Sequence, residues 1–167
     1  MAGGGSKKSG KDDKKPTTKV IARNKRAFHD FEILDKWEAG IVLVGSEVKS
    51  LRDGKCSLEQ SFADLNNDEV WLLGCDIPEY IEANRFNHKA KRPRKLLLNS
   101  EEIRKITNKV KEKGLTLVPL QLYFNKGLAK VEIGLARGRK LHDKRDAIKT
   151  KETKRDIDRL SKRNFRD

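Results

Sequence analysis

Residues 115–136 constrain the fold more than any other stretch. In 115–124, Leu115, Leu117, Pro119, Gln121 and Tyr123 alternate with Thr116, Val118, Leu120, Leu122 and Phe124. Both sets are largely apolar, so a strand here needs cover on both faces. Asn125-Lys126-Gly127 then turns the chain into 128–136, where Val131, Ile133 and Leu135 share a face. An antiparallel hairpin with one strand apolar on both sides belongs in a closed barrel. The predicted class is therefore mainly β with helices (α+β).

The organising unit upstream is 23–55. A basic, asparagine-containing lead-in runs into a predicted strand over 28–34 and a second, short one over 40–44. Gly45 turns the chain into Ser46, a plausible N-cap, and a short charged helix runs to Arg52 before Asp53-Gly54. Glu47 sits in its first turn, where a negative charge suits the helix dipole, and its charges read as lying on the rim. A second hairpin is predicted from 62–65 and 70–75, joined through Asn66-Asn67-Asp68. Trp71 reads as core. The clearest helix spans 100–113, with Ser100 as cap, Gly114 as stop, and Ile103, Ile106 and Val110 as its buried stripe.

Charge is distributed unevenly along these 167 residues. The net +14 resides in the two ends. Residues 1–26 carry nine Lys/Arg against two Asp, residues 137–167 thirteen against six, and the 110 between are balanced at seventeen each. A neutral body with cationic ends suits a polyanion, and nucleic acid is the first candidate. No stretch approaches the apolar length of a spanning helix, so no membrane partner is expected. Without an apolar leader, and with only Cys56 and Cys75, the chain reads as cytoplasmic with reduced thiols.

Three regions stand outside the predicted body. Residues 1–18 are Gly/Ser/Lys-rich and read as disordered; 19–136 form the barrel; 137–167 form a basic tail. Ordering that tail costs roughly 1–2 kcal/mol per residue. Its few large apolar side chains return only about 1.5–3 kcal/mol apiece. It is expected to be disordered when free and to fold only against a partner. Within the body, 84–95 carries six basic residues and no acid, and is read as a mobile cationic loop with His88 exposed.

Chemistry is not evident. His29, His88 and His142 are scattered, Gly54-Lys55 lacks the upstream glycine of a phosphate-binding loop, and four Cys/His in zinc spacing are absent. The chain reads as a binding protein, with no cofactor or metal.

Several blocks resemble one family. Asn24-Lys25-Arg26-Ala27, Trp37-Glu38-Ala39-Gly40, the run GSEVKSLR at 45–52, Arg94-Lys95-Leu96-Leu97-Leu98, Leu117-Val118-Pro119-Leu120, Lys130-Val131-Glu132-Ile133-Gly134, and Arg137-Gly138-Arg139-Lys140 with His142-Asp143-Lys144-Arg145 are similar to SmpB, the bacterial small protein B. The resemblance covers about 20–150. It implies an OB-fold-like barrel with flanking helices and a non-enzymatic role in ribosome rescue. It also implies partners: the tRNA-like domain of transfer-messenger RNA (tmRNA), the decoding site and message channel of a stalled ribosome, and elongation factor Tu through the alanyl-charged RNA. A monomer is expected. By motif, the resemblance assigns RNA binding to Asn24, Lys25, Arg26, Glu38, Arg94, Lys95, Leu96, Arg137, Arg139 and Lys140, although Leu96 alone reads as core. It assigns the ribosome-binding tail to His142, Asp143, Lys144, Arg145, Ile157 and Leu160. The tail departs from the family in having Leu160-Ser161 where two adjacent apolar residues are frequent; Ile157 could share the face of Leu160. The competing reading is a general OB-fold nucleic-acid binder with no dedicated RNA.

Overall fold

The structure, a computed structural model, describes residues 18–83, 87–111 and 114–140. The expectations for the N-terminal extension, for part of the cationic loop and for the tail from 141 onward lie outside the described residues. The elements run β1 (Lys19–Arg23), α1 (Lys25–Asp30), β2 (Phe31–Ile41), α2 (Gly45–Arg52), β3 (Phe62–Asn66), β4 (Glu69–Leu73), β5 (Arg94–Leu97), α3 (Ser100–Val110), β6 (Leu115–Asn125) and β7 (Leu128–Gly138).

All pairings between these strands are antiparallel. The order β6-β3-β4-β5-β2-β7 closes on itself because β7 also pairs with β6, and β1 joins the other edge of β6. The predicted hairpin at 115–136 is therefore the seam of a closed ring. Positive φ at Asn67 and Asp68, and at Lys126 and Gly127, makes the two tight turns that sequence placed there. Pro119 is tolerated inside β6 because the β6–β7 register shifts between Pro119 and Gln121, where no ladder donor is demanded of it.

One core fills the ring. Leu72, Leu96, Leu122, Val131 and Ile133 come from the strands, Leu51 from α2 and Ile106 from α3. The α3 stripe is as predicted, with Ile103 and Val110 packed beside Ile106. A second, smaller cluster lies where Ala27 of α1 meets Val118, Leu120 and Ala136, flanked by Phe31 and Ile33. At Gly134 an added Cβ would come within 3.0 Å of the Leu120 side chain and 3.1 Å of that of Ile33, so a larger residue here would displace them.

Several local expectations are corrected. Residues 28–30 are helical: Asn24 caps α1 and Ala27 is buried, so Phe28 and His29 face solvent instead of starting a strand. The two predicted strands over 28–34 and 40–44 are one long strand, β2, which runs through Gly40. Helix α2 is capped by Val44, not Ser46, and the Glu47 carboxylate accepts the Val44 N–H at 2.9 Å. Glu47 is wholly buried and is no rim charge. In α3 the cap is Asn99, with Glu102 completing the capping box, and the helix ends at Val110. On β4 it is Val70 and Leu72 that face the core, while Trp71 lies on the other face and is only partly buried.

The cationic loop is the largest revision. His88 is buried, with Nε2 donating to the Ile77 carbonyl and Nδ1 2.9 Å from Ser46 Oγ. Arg94 is fully buried; its Nε donates to Glu47 at 2.8 Å, and its terminal nitrogens donate to the carbonyls of Cys75, Arg92 and Ala90. Arg92 forks onto the same carboxylate at 2.8 and 2.6 Å. A basic run that looked like a phosphate clamp is, at these two positions, an internal lattice of guanidinium donors around one acid.

Candidate nucleic-acid interface

The outer face of β2, β7 and β6 carries polar side chains in rows. Register places Lys36 opposite Gly134, Glu38 opposite Glu132, and Gly40 opposite Lys130, with Gln121 and Tyr123 next across β6. Because strand side chains alternate, these six non-glycine residues project away from the core that Ala39, Val131, Ile133 and Leu122 fill. They are cross-linked: Tyr123 donates its phenol proton to Glu38, Lys130 lies 3.3 Å from the other Glu38 oxygen, Lys36 lies 3.1 Å from Glu132, and Gln121 donates to Glu132. The Tyr123 hydrogen bond is the main reason the Glu38 carboxyl is held below its ordinary range, helped by Lys130 against partial burial. Burial, then the Glu38 carboxylate, pushes the Tyr123 phenol up, so it remains a donor. Glu38 is thus an ionised acceptor held at a fixed place on an open face.

Beside it lies an apolar step. Leu97 of β5 stands opposite Gly40 and is 52% exposed, and a Cβ on Gly40 would fall 3.3 Å from the Leu97 Cβ. Leu96, its neighbour, points into the core at 2% exposure. Lys95 is half-buried and paired with Glu69.

The basic element sits at the far end of the same sheet. Gly138 of β7 pairs with Phe31, and the Arg139 N–H donates to the Asp30 carbonyl at 2.9 Å, tying the end of β7 to the end of α1. The Arg139 backbone thus meets the end of the helix that carries Lys25 and Arg26, while Arg137 is registered with Glu32 and Leu115. Phe28, half-exposed, bridges to the polar face through Lys36, whose ammonium is 5.7 Å from its ring centre.

The ten RNA-binding positions expected from sequence therefore divide. Lys25, Arg26, Glu38, Arg137 and Lys140 are exposed and Arg139 is partly so. Lys95 is partly accessible but engaged by Glu69. Asn24, Arg94 and Leu96 are inside. Asn24 accepts the Ala27 N–H at 3.0 Å, and its amide donates to the Leu58 and Pro119 carbonyls at 3.0 and 3.1 Å. Both amide donors are used in anchoring α1, and at 3% exposure the side chain presents no edge to solvent. Sequence reading missed Lys36, Tyr123, Lys130, Glu132 and Leu97; the period of two around Glu38 and through 130–134 could have found the lysines and the acid.

A family model described as SmpB protein matches residues 21–163. The chain belongs to the SmpB family. It is 53% identical over 146 residues to the SsrA-binding protein of Syntrophobacter fumaroxidans, covering 87% of this chain and 91% of that one. It is 56% identical over 144 residues to the SsrA-binding protein of a Sulfurihydrogenibium strain, covering 86% and 95%. Among solved structures, a chain from a tmRNA–SmpB study of the bacterial ribosome aligns at TM-score 0.63 and 48% identity, over 76% of this chain and 93% of that one. The SmpB-family match extends past the described residues into the tail. Among the described residues, no helix is long and apolar enough to cross a membrane and no cluster of three or more metal-ligating side chains occurs.

Proposed function

We propose that this chain is a tmRNA-binding adaptor for trans-translation, with no catalytic step of its own. The observation that carries the reading is the near full-length match to SsrA-binding proteins. The outer surface supplies the chemistry such a role needs. Lys25, Arg26, Arg137, Arg139 and Lys140 hold phosphate, the fixed Glu38 carboxylate accepts hydroxyl or base N–H groups, and Leu97 offers an apolar seat beside it. Asn24 contributes indirectly, by holding α1 in place. Arg94 and Leu96 support β5 from within.

In this reading the RNA partner is the tRNA-like domain, delivered alanyl-charged with elongation factor Tu to a stalled ribosome. His142, Asp143, Lys144 and Arg145 engage the decoding site. Ile157 and Leu160 share a helix face in the empty message channel. The protein acts as a cytoplasmic monomer, with 19–136 as the RNA-binding body and 137–167 as the ribosome-binding tail. The test is affinity for the tRNA-like domain beside an elongator tRNA and a plain duplex across a salt series. Preference for the tRNA-like domain that survives raised salt supports shape-specific recognition. Equal affinities that fall together would leave only a general basic binder.

A further inference from the structure

Strands β3 and β6 share one register pair, Ala63 opposite Leu117. Beyond it the two strands part, and α1 lies against β6 beside the gap. A groove of about 320 Å³ opens there. Arg26 and Asp30 reach it from α1, Phe31 from the start of β2, Gln60 and Phe62 from the segment entering β3, and Thr116 from β6.

The walls of this groove are fixed by specific contacts. The Asn24 amide grips Leu58 on one side and Pro119 on the other, across the gap. Ser61 turns back onto the Leu58 carbonyl through both its hydroxyl at 2.7 Å and its N–H at 3.2 Å. Gly74, at φ +69°, lets the backbone of Gln60 lie so close that any Cβ there would fall 2.7 Å from its carbonyl oxygen. The segment carrying Gln60 and Phe62 is thereby fixed. Phe62 is nevertheless 47% exposed, next to the buried Ala63.

We propose that the groove takes one unstacked nucleobase of the bound RNA. The inference rests on the RNA-binding reading above and adds a site to it. Phe62 and the Arg26 guanidinium offer flat surfaces for stacking. Gln60 and Thr116 offer donors and acceptors to a base edge, bordered by the Asp30 carboxylate, which lies 3.0 Å from His29 Nδ1 and 4.0 Å from Arg26 Nε. Cations for the phosphates flanking such a base are near, because Arg26 lines the groove and the Arg139 backbone is tied to the Asp30 carbonyl. An aromatic ring, an amide, a hydroxyl and the Arg26 guanidinium, with the Asp30 and Glu59 carboxylates as acceptors for base N–H groups, match a polar aromatic base better than an apolar peptide.

The experiment compares the full chain with Phe62→Leu, Phe62→Ala and Gln60→Ala. It measures affinity for the tRNA-like domain of tmRNA and the chemical reactivity of each unpaired base in the complex. Loss of one base–aromatic stack is expected to weaken binding roughly five- to a hundred-fold. The salt slope should stay unchanged, because no phosphate contact is removed. One unpaired base protected by the unaltered protein should become reactive with Phe62→Leu, which keeps the apolar bulk and so the fold. Arg137→Ala should do the reverse, lowering the slope while that base stays protected. Unaltered affinity and protection in all three variants would overturn the proposal, as would losses that come with a changed slope. Failure of the unaltered protein to prefer the tRNA-like domain would instead refute the underlying reading, and is seen before any variant is made.

Discussion

Replacing Glu47 by glutamine should be among the most damaging isosteric changes available to this protein. The side chain is fully buried and accepts four hydrogen bonds: the Val44 N–H, two from Arg92 and one from Arg94. Arg94 is fully buried as well, so losing the carboxylate strands a guanidinium away from water. Breaking a buried pair by removing one partner costs about 3–5 kcal/mol. Against the roughly 5–15 kcal/mol that holds a domain of this kind together, such a loss is large. Urea unfolding at neutral pH, followed by circular dichroism, should show an unfolding free energy lower by that amount, through a lower midpoint at unchanged slope. Pairing Glu47→Leu with Arg94→Met should cost much less than the two single changes added together, because the stranded charge is then gone. The pH dependence gives a second check. Burial alone would push the Glu47 carboxyl up, but the hydrogen bonds from Arg92 and Val44, together with Arg94, outweigh it and hold it below its ordinary value of 4.5. A depressed carboxyl contributes stability in full above that value and loses it as pH falls through the folded-state value. Glu47→Gln should accordingly flatten the acid limb of the stability profile. A loss under about 1 kcal/mol in the glutamine variant, which a solvated surface pair would give, would refute the reasoning.

Three further outcomes are expected. Glu38→Ala should weaken binding of the tRNA-like domain while leaving the unfolding midpoint within about 1 kcal/mol of the parent, since Glu38 is on an open face; unchanged affinity would remove it from the site. A chain ending at Lys140 should keep RNA binding and lose peptide tagging on stalled ribosomes in a reconstituted system, and joint loss of both would contradict the division into body and tail. Cys56 and Cys75 lie with their sulfurs 3.8 Å apart, and the hydrogen bond from Cys56 makes Cys75 the more acidic thiol. Treatment with a thiol-specific oxidant should join them with the loss of two hydrogens by mass spectrometry, whereas persistence of two alkylatable thiols would show that the backbone around the Ser57–Asp76 bridge cannot adjust.

Much of the architecture was readable from periodicity. Residues 115–136 announced a strand apolar on both sides, and the ring closes at that hairpin. The α3 stripe was equally plain, because Ile103, Ile106 and Val110 recur at helical spacing between charged residues. What failed was local and had a common cause. Residues 28–30 looked extended because Phe28 and Phe31 carry strand preference, yet the Asn24 cap and the burial of Ala27 decide in favour of a turn of helix. Gly40 looked like a strand start and is instead the place where β2 lets Leu97 of β5 come close. Both outcomes depend on a partner far away in the chain, which a window of local residues does not contain.

The same limit governs the site. Cations and amides read as surface groups by default, because an unpaired polar side chain is expensive to bury. Arg94 and Asn24 escape that rule by finding every partner they need inside. Arg94 has Glu47, 47 residues before it, and Asn24 has Pro119, 95 residues after it. A family motif marks such residues and exposed ones alike, since losing either would damage the surface. The structure separates them by position: Glu38 and Arg137 are exposed and Arg139 partly so, while Asn24 and Arg94 are buried among their hydrogen-bond partners. Substitution of the first group should change affinity at constant stability, and substitution of the second should change stability along with it.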